Sequence, residues 1–131
     1  MYDVIIIGAG IIGNFIAREL SKYELDILLM DKENDISNGA TKANTAIIHA
    51  GFDALNGSKM AYFNVRGNPM FDQVCDELGV PFKRIGSLVL AFDDTDLKTL
   101  KVLYNRGLKS GVPKMEILNR DQVEKMEPNI S

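Results

Sequence analysis

The chain has 131 residues and a mass of 14.5 kDa, room for one domain or a piece of one, so several complete domains within this length are not expected. A hydrophobic content of 46%, a charged content of 25% and a net charge of -3 are those of an ordinary globular chain without a cationic field, so disorder, nucleic-acid binding and attachment to anionic lipid are not expected. Cys75 and His49 are the only cysteine and histidine; there is no disulfide framework or zinc cluster to read, no metal is expected, and a reducing, cytoplasmic setting is the default.

The longest apolar run, Val4 to Ile12, has nine residues and contains two glycines, against about 20 residues for a membrane-spanning helix. Asp3 precedes it where an export signal would carry basic residues, so the amino terminus is read as part of the fold. Val4 to Ile7 is an unbroken β-branched stretch, the pattern of a parallel strand covered on both faces at the centre of a sheet. Next come Gly8, Gly10 and Gly13. Ile12, Phe15, Ile16 and Leu20 then recur at helical spacing, opposite Asn14, Arg18, Glu19 and Lys22, which predicts an amphipathic helix with that apolar stripe on the sheet. Leu25 to Met30 reads as a second strand, ending at Asp31. The three elements make one βαβ unit.

The glycines have steric reasons. Gly8 permits the turn off the strand, Gly10 lets a pyrophosphate approach the main chain without meeting a Cβ, and Gly13 lets helix and strand pack closely. At the helix amino end, where Ile12 lies, unpaired amides and the helix dipole stabilise an anion without a basic side chain. Asp31, at the tip of the second strand, is placed to accept hydrogen bonds from the adenosine ribose, and its charge argues against a 2′-phosphate. The plainer alternative for Asp31 is a solvated strand-end residue.

A dinucleotide domain for NAD would run on through another helix into a third strand. Residues 34–45, NDISNGATKANT, are instead a small-residue polar stretch leading into Ala46-Ile47-Ile48-His49-Ala50-Gly51. Here the sequence resembles the FAD-dependent oxidoreductases of the D-amino-acid oxidase and glycerol-3-phosphate dehydrogenase superfamily, in which a similar segment precedes an apolar pair and a His-x-Gly. From Gly39 to Gly67 the spacing of His49-Ala50-Gly51-Phe52, Gly57-Ser58, Ala61 and Val65-Arg66-Gly67 is similar to L-2-hydroxyglutarate oxidases and a related bacterial group of glycerol-3-phosphate dehydrogenases.

The resemblance implies FAD as cofactor. It puts Gly8, Gly10, Ile12, Gly13 and Asp31 on the ADP half, and Thr41, Lys42, Asn44 and Thr45 on the pyrophosphate and ribityl portion; the alternative for the last four is an ordinary polar loop. His49 keeps three readings: a residue beside the isoalloxazine, a point of covalent flavin attachment, or a hydrogen-bonded core imidazole. In the aerobic glycerol-3-phosphate dehydrogenases the histidine is followed by Gly-Gly-Leu-Arg, whose arginine lies close to the substrate; Asp53 stands at that place here.

Lys59 and Arg66 are read as solvated rather than substrate-binding, and Cys75, within Met70, Phe71, Val74 and Leu78, as core rather than redox centre. Ser58 to Leu78 predicts a helix, broken or bent near Gly67-Asn68-Pro69 and stopped by Gly79. A strand over Arg84 to Phe92 follows, then a helix from Asp94 to Lys109 ended by Gly111, with Asp93, Asp94 and Asp96 as cap and dipole partners rather than metal ligands. Met115 to Leu118 reads as a short strand and Asn119 with Gln122 as a capping box.

The fold class expected is α/β: a Rossmann-like FAD-binding βαβ with the start of an antiparallel-sheet substrate domain. Residues 1–80 would be a partial FAD-binding domain and 81–131 the beginning of a substrate-covering one. An apolar first strand cannot remain an edge, and only two runs qualify as parallel strands, so the chain is expected to be an amino-terminal fragment of a longer enzyme. The expected activity is oxidation of a small hydroxylated anionic metabolite, glycerol 3-phosphate or a 2-hydroxy acid such as L-2-hydroxyglutarate. A non-catalytic nucleotide-binding module is the reading from another class.

Overall fold

The computed structural model describes residues 1–130; Ser131, the last residue of the expected second domain, lies outside them. The chain forms two compact units, Met1–Ile47 and the residues from Ile48 on. In the first, β1 (Val4–Ile7), α1 (Ile11–Leu20) and β2 (Ile27–Met30) make a Rossmann-like α/β βαβ unit. The strands are parallel, with Val4 opposite Ile27 and Ile7 opposite Met30. The Gly8 amide extends the ladder by donating to the Met30 carbonyl at 2.8 Å.

Gly13 sets how closely α1 approaches β1. A Cβ at this position would stand 1.8 Å from the Gly8 carbonyl oxygen and 3.4 Å from Ile6 Cγ2. The expected apolar stripe holds in part: Phe15 and Leu20 are half-buried, but Ile12 and Ile16 are not on the covered side. Buried Gly13 and half-buried Ala17, one turn apart, take the inner side, whereas Ile12 is 75% and Ile16 45% exposed. Where a helix lies this close to a strand, the smallest side chains belong between them. Nor is β1 covered on both faces among the described residues. Ile6 is buried, but Ile5 and Ile7, which point the other way, are 55% and 86% exposed, and β1 pairs with β2 alone.

The second unit is built on α2 (Lys59–Leu78), α3 (Asp94–Ser110) and α4 (Arg120–Met126). Its helix ends follow local chemistry. Ser58 Oγ accepts from the Ala61 amide, Asp93 Oδ1 from the amides of Thr95 and Asp96, and Gly79 and Gly111 stop their helices in the left-handed conformation. Asn119 and Gln122 close a complete capping box. Of the break or bend expected near Gly67-Asn68-Pro69, the break is absent: α2 is continuous through Pro69, where proline removes one ladder donor and crowds the carbonyl one turn back.

The expected strands over Arg84 to Phe92 and Met115 to Leu118 are irregular. A strand exists only through its hydrogen-bonded neighbour, and no described residue supplies one, so no antiparallel sheet forms among them. Ala54, Ala61, Cys75 and Val112 are the buried apolar residues of this unit, in agreement with the core reading of Cys75. No described helix is long and apolar enough to cross a membrane.

Candidate functional site

The first unit gathers six of the expected site residues around one turn. Gly8, at φ +107°, swings the chain off β1, and Gly10 is the N-cap of α1, with no side-chain cap bond. The amides of Gly10, Ile12 and Gly13 have no hydrogen-bond partner among the described residues. Helix starts leave such donors unsatisfied, and they attract anions. The Ile11 amide donates to Thr41 Oγ1 at 3.0 Å, so the polar segment closes over the helix start. A Cβ at Gly10 would come within 3.3 Å of the same oxygen.

Asp31 reaches back into the turn. Its Oδ2 accepts from the Ala9 amide at 2.6 Å and its Oδ1 from the Glu33 amide at 2.9 Å. These donors, Glu33 first and Ala9 second, hold the carboxyl below the usual aspartate range. Each carboxylate oxygen retains a further lone pair. Asp31 is therefore a brace of the turn as well as an acceptor at the strand tip.

Asn14, assigned to the solvated side of α1 from its periodicity, turns inward. Its Nδ2 donates to the Ala9 carbonyl at 2.7 Å and to the Gly10 carbonyl at 2.9 Å. The available signal was local: an asparagine one turn after a glycine N-cap can bond back to the carbonyls behind it. The remaining polar-segment residues are less engaged. Asn44 Nδ2 bonds the Thr41 carbonyl and its Oδ1 accepts from the Ala46 amide at 2.8 Å. Lys42 Nζ lies 3.5 Å from Asn38 Oδ1, and Thr45 is exposed.

His49 belongs to the second unit and is exposed. Its carbonyl accepts from Asn68 Nδ2 at 3.1 Å, on α2. Asn68 is in turn fixed by Arg84, whose Nη1 donates to Oδ1 and Nη2 to the backbone carbonyl, each at 2.7 Å. The same guanidinium grips Asp72 through Nε at 3.2 Å and Nη2 at 2.6 Å. Arg84 draws the Asp72 carboxyl below its ordinary range, and Asp72 raises Arg84. Nothing in the spacing of Arg84 marked this network, because the residue was read as the start of a strand.

Gly51 is tightly placed: a Cβ would stand 3.0 Å from Val65 Cγ2. Asp53 is exposed, and its carbonyl accepts from Arg106 Nη1 at 2.8 Å. Lys59 and Arg66 are exposed, Arg66 reaching only the Tyr62 hydroxyl at 3.4 Å. Two shallow grooves in this unit, one along Leu55, Asn56 and Val102 and one along Asp72, Cys75 and Phe82, contain none of the expected site residues. No described cluster of His, Cys, Asp and Glu could hold a metal ion.

The family model of FAD dependent oxidoreductases (DAO) matches residues 3–131. A glycerol 3-phosphate dehydrogenase of Caloramator mitchellensis is 60% identical over 131 residues, which is 100% of this chain and 27% of that protein. A mitochondrial L-2-hydroxyglutarate dehydrogenase of Nematostella vectensis is 35% identical over 98% of this chain and 28% of its own length. A glycerol 3-phosphate oxidase of Mycoplasma genitalium is 33% identical over 98% of this chain and 34% of its own length. The chain thus spans about a quarter to a third of these relatives. With a glycine turn braced from β2 and closed by Thr41, and a family match running almost end to end, the chain belongs to the DAO family of FAD-dependent oxidoreductases.

Proposed function

We propose that this chain forms the ADP-binding part of an FAD-dependent oxidoreductase that oxidises a small hydroxylated anionic metabolite, with glycerol 3-phosphate as the first candidate. The observation that carries the reading is the set of partnerless amides at Gly10, Ile12 and Gly13, at a turn where Gly10 has no side chain to block approach. FAD fits this turn: a diphosphate needs donors and a bare main chain, and both are present. Bound FAD would supply the hydride acceptor.

In this reading Gly8, Gly10, Ile12 and Gly13 hold the pyrophosphate, and Asp31 uses its remaining lone pairs for the ribose. Thr41, Lys42, Asn44 and Thr45 line the next stretch of the cofactor. His49 is the flavin-proximal residue, an imidazole whose ring nitrogen would accept the substrate hydroxyl proton. Residues 81–131 begin a substrate-covering domain. A cytoplasmic setting goes with the single cysteine.

The substrate order follows the names of the relatives, a glycerol 3-phosphate dehydrogenase at 60% and a glycerol 3-phosphate oxidase at 33% identity. L-2-hydroxyglutarate is the second reading, favoured by Asp53 at a place where phosphate recognition would use an arginine and by the relative at 35% identity.

Replacing Gly10 with valine in the full-length protein is expected to abolish bound flavin. A yellow, stoichiometrically loaded Gly10→Val protein would refute the assignment. Anaerobic bleaching of the wild-type flavin by each compound separates the substrates, and bleaching by neither removes both. A colourless wild-type protein that binds NAD would replace the enzyme with a nucleotide-binding module.

A further inference from the structure

An anion brought to the start of α1 gains from every amide it meets and loses at every carbonyl, so the direction of each peptide group matters as much as its presence. The carbonyl of Ala9 accepts from Asn14 Nδ2 at 2.7 Å and from the Ser37 amide at 3.0 Å. The carbonyl of Gly10 accepts from Asn14 Nδ2 at 2.9 Å and from the Asn14 amide at 3.0 Å. A carbonyl oxygen has two lone pairs, so both acceptors are saturated, and three of the four bonds come from Asn14.

A trans peptide carries its N–H on the edge opposite its C=O. Drawing the Ala9 and Gly10 oxygens onto Asn14 therefore turns the Gly10 and Ile11 amides the other way: the Gly10 amide has no partner among the described residues, and the Ile11 amide meets Thr41 Oγ1 at 3.0 Å. Ala9 is 3% exposed, and the preceding peptide group is held through the Ala9 amide by Asp31 at 2.6 Å, so the residue that carries the first of these carbonyls is anchored on its amino side. Few other side chains could do this. Alanine offers no donor, aspartate sets a carboxylate against two carbonyls, and serine reaches only the carbonyl one turn back.

We infer that Asn14 is a positioning residue for the cofactor pyrophosphate: its carboxamide pins two successive carbonyls inward, so that the free Gly10 amide faces the anion and the Ile11 amide holds Thr41 over the helix start. The inference rests on the reading of this turn as the pyrophosphate site.

The test uses the full-length protein stripped of flavin, with FAD affinity read from flavin fluorescence, ADP affinity from competition, and the thermal midpoint of the FAD-free protein alongside. Asn14→Ala is expected to weaken FAD and ADP by the same factor, about tenfold or about 1.4 kcal/mol, while the FAD-free midpoint moves by less than about 4 °C. Asn14→Asp should bind both more weakly still. Should the alanine variant not fold, Asn14→Ser carries the test, with both ligands expected about threefold weaker.

Wild-type affinity in the variant that folds overturns the role of Asn14 and leaves the turn reading standing. Loss of FAD affinity without loss of ADP affinity also overturns it, because the defect would then lie away from the diphosphate. A lowered FAD-free midpoint with unchanged affinities marks Asn14 as structural only. A wild-type protein that binds neither ligand removes the inference and the turn reading together.

Discussion

Gly13→Ala is the substitution on which the packing account of the first unit is most exposed. Inside an exposed helix this change should stabilise by about 1 kcal/mol, since alanine loses less backbone freedom than glycine. Here the new Cβ would stand 1.8 Å from the Gly8 carbonyl oxygen. An ordinary carbon-to-oxygen contact is about 3.3 Å, so helix and strand must part by about 1.5 Å. The obstacle is backbone at a turn hydrogen-bonded to Met30, not the end of a flexible side chain. Overpacking of this kind costs about 3 kcal/mol or more, which leaves a net loss of about 2 kcal/mol or more after the helical gain. Urea unfolding of the full-length protein measures it, with Gly39→Ala as control because a Cβ there meets nothing within 4 Å. If Gly13→Ala unfolds at or above the wild-type midpoint with an unchanged slope, the close approach of α1 to β1 is wrong.

Gly67→Ala makes the opposite case: Gly67 lies inside α2 and its Cβ would meet nothing within 4 Å, so the thermal midpoint should rise by an amount matching about 0.5–1 kcal/mol. No rise would mean that α2 does not run through that position. Because the Asp31 and Asp72 carboxyls sit below their ordinary range when folded, the stability they contribute is complete above the unfolded aspartate pKa of about 3.9 and drains away as pH falls through that value and the lower folded one. Urea midpoints taken from about pH 6 to about pH 3 should therefore fall less steeply in Asp31→Asn than in wild type, and equal slopes would show that the bonds to Ala9 and Glu33 do not persist in solution.

The parts of the structure legible in the sequence are those whose cause is local. Val4 to Ile7 became β1 with the expected bounds, and Gly79, Asp93, Gly111 and the Asn119–Gln122 pair cap or stop their helices as their chemistry dictates, while Ser58, read as the first helical residue, is the cap before it. Gly13 was placed against β1 for the right steric reason, yet of the expected face of α1 only Phe15 and Leu20 are half-buried, while Ile12 and Ile16 are exposed. The periodicity weighs how apolar a residue is, whereas a helix pressed onto a strand selects for smallness, and Ala17 beats Ile16. The strands over 84–92 and 115–118 failed because pairing needs a neighbour that propensity cannot supply. Asn14 and Arg84 escaped because polarity alone does not say which backbone group a side chain turns to face.

The hydrogen bonds that tie the stretch after His49 to α3 have a consequence for the order in which the polypeptide becomes ordered during synthesis. Arg106 clasps the Asp53 carbonyl across a separation of 53 residues, and Asn56 meets Ser110 across 54. The first unit closes on partners within about thirty residues of one another and can settle early. At ribosomal speeds of about 5–20 residues per second, the Asp53 stretch then waits about 3–10 s for its clasp to emerge. For that interval Leu55, 68% exposed even when folded, and its neighbours lack the partners that α3 brings, so the pace of translation between residues 56 and 110 sets how long this stretch stays unclasped.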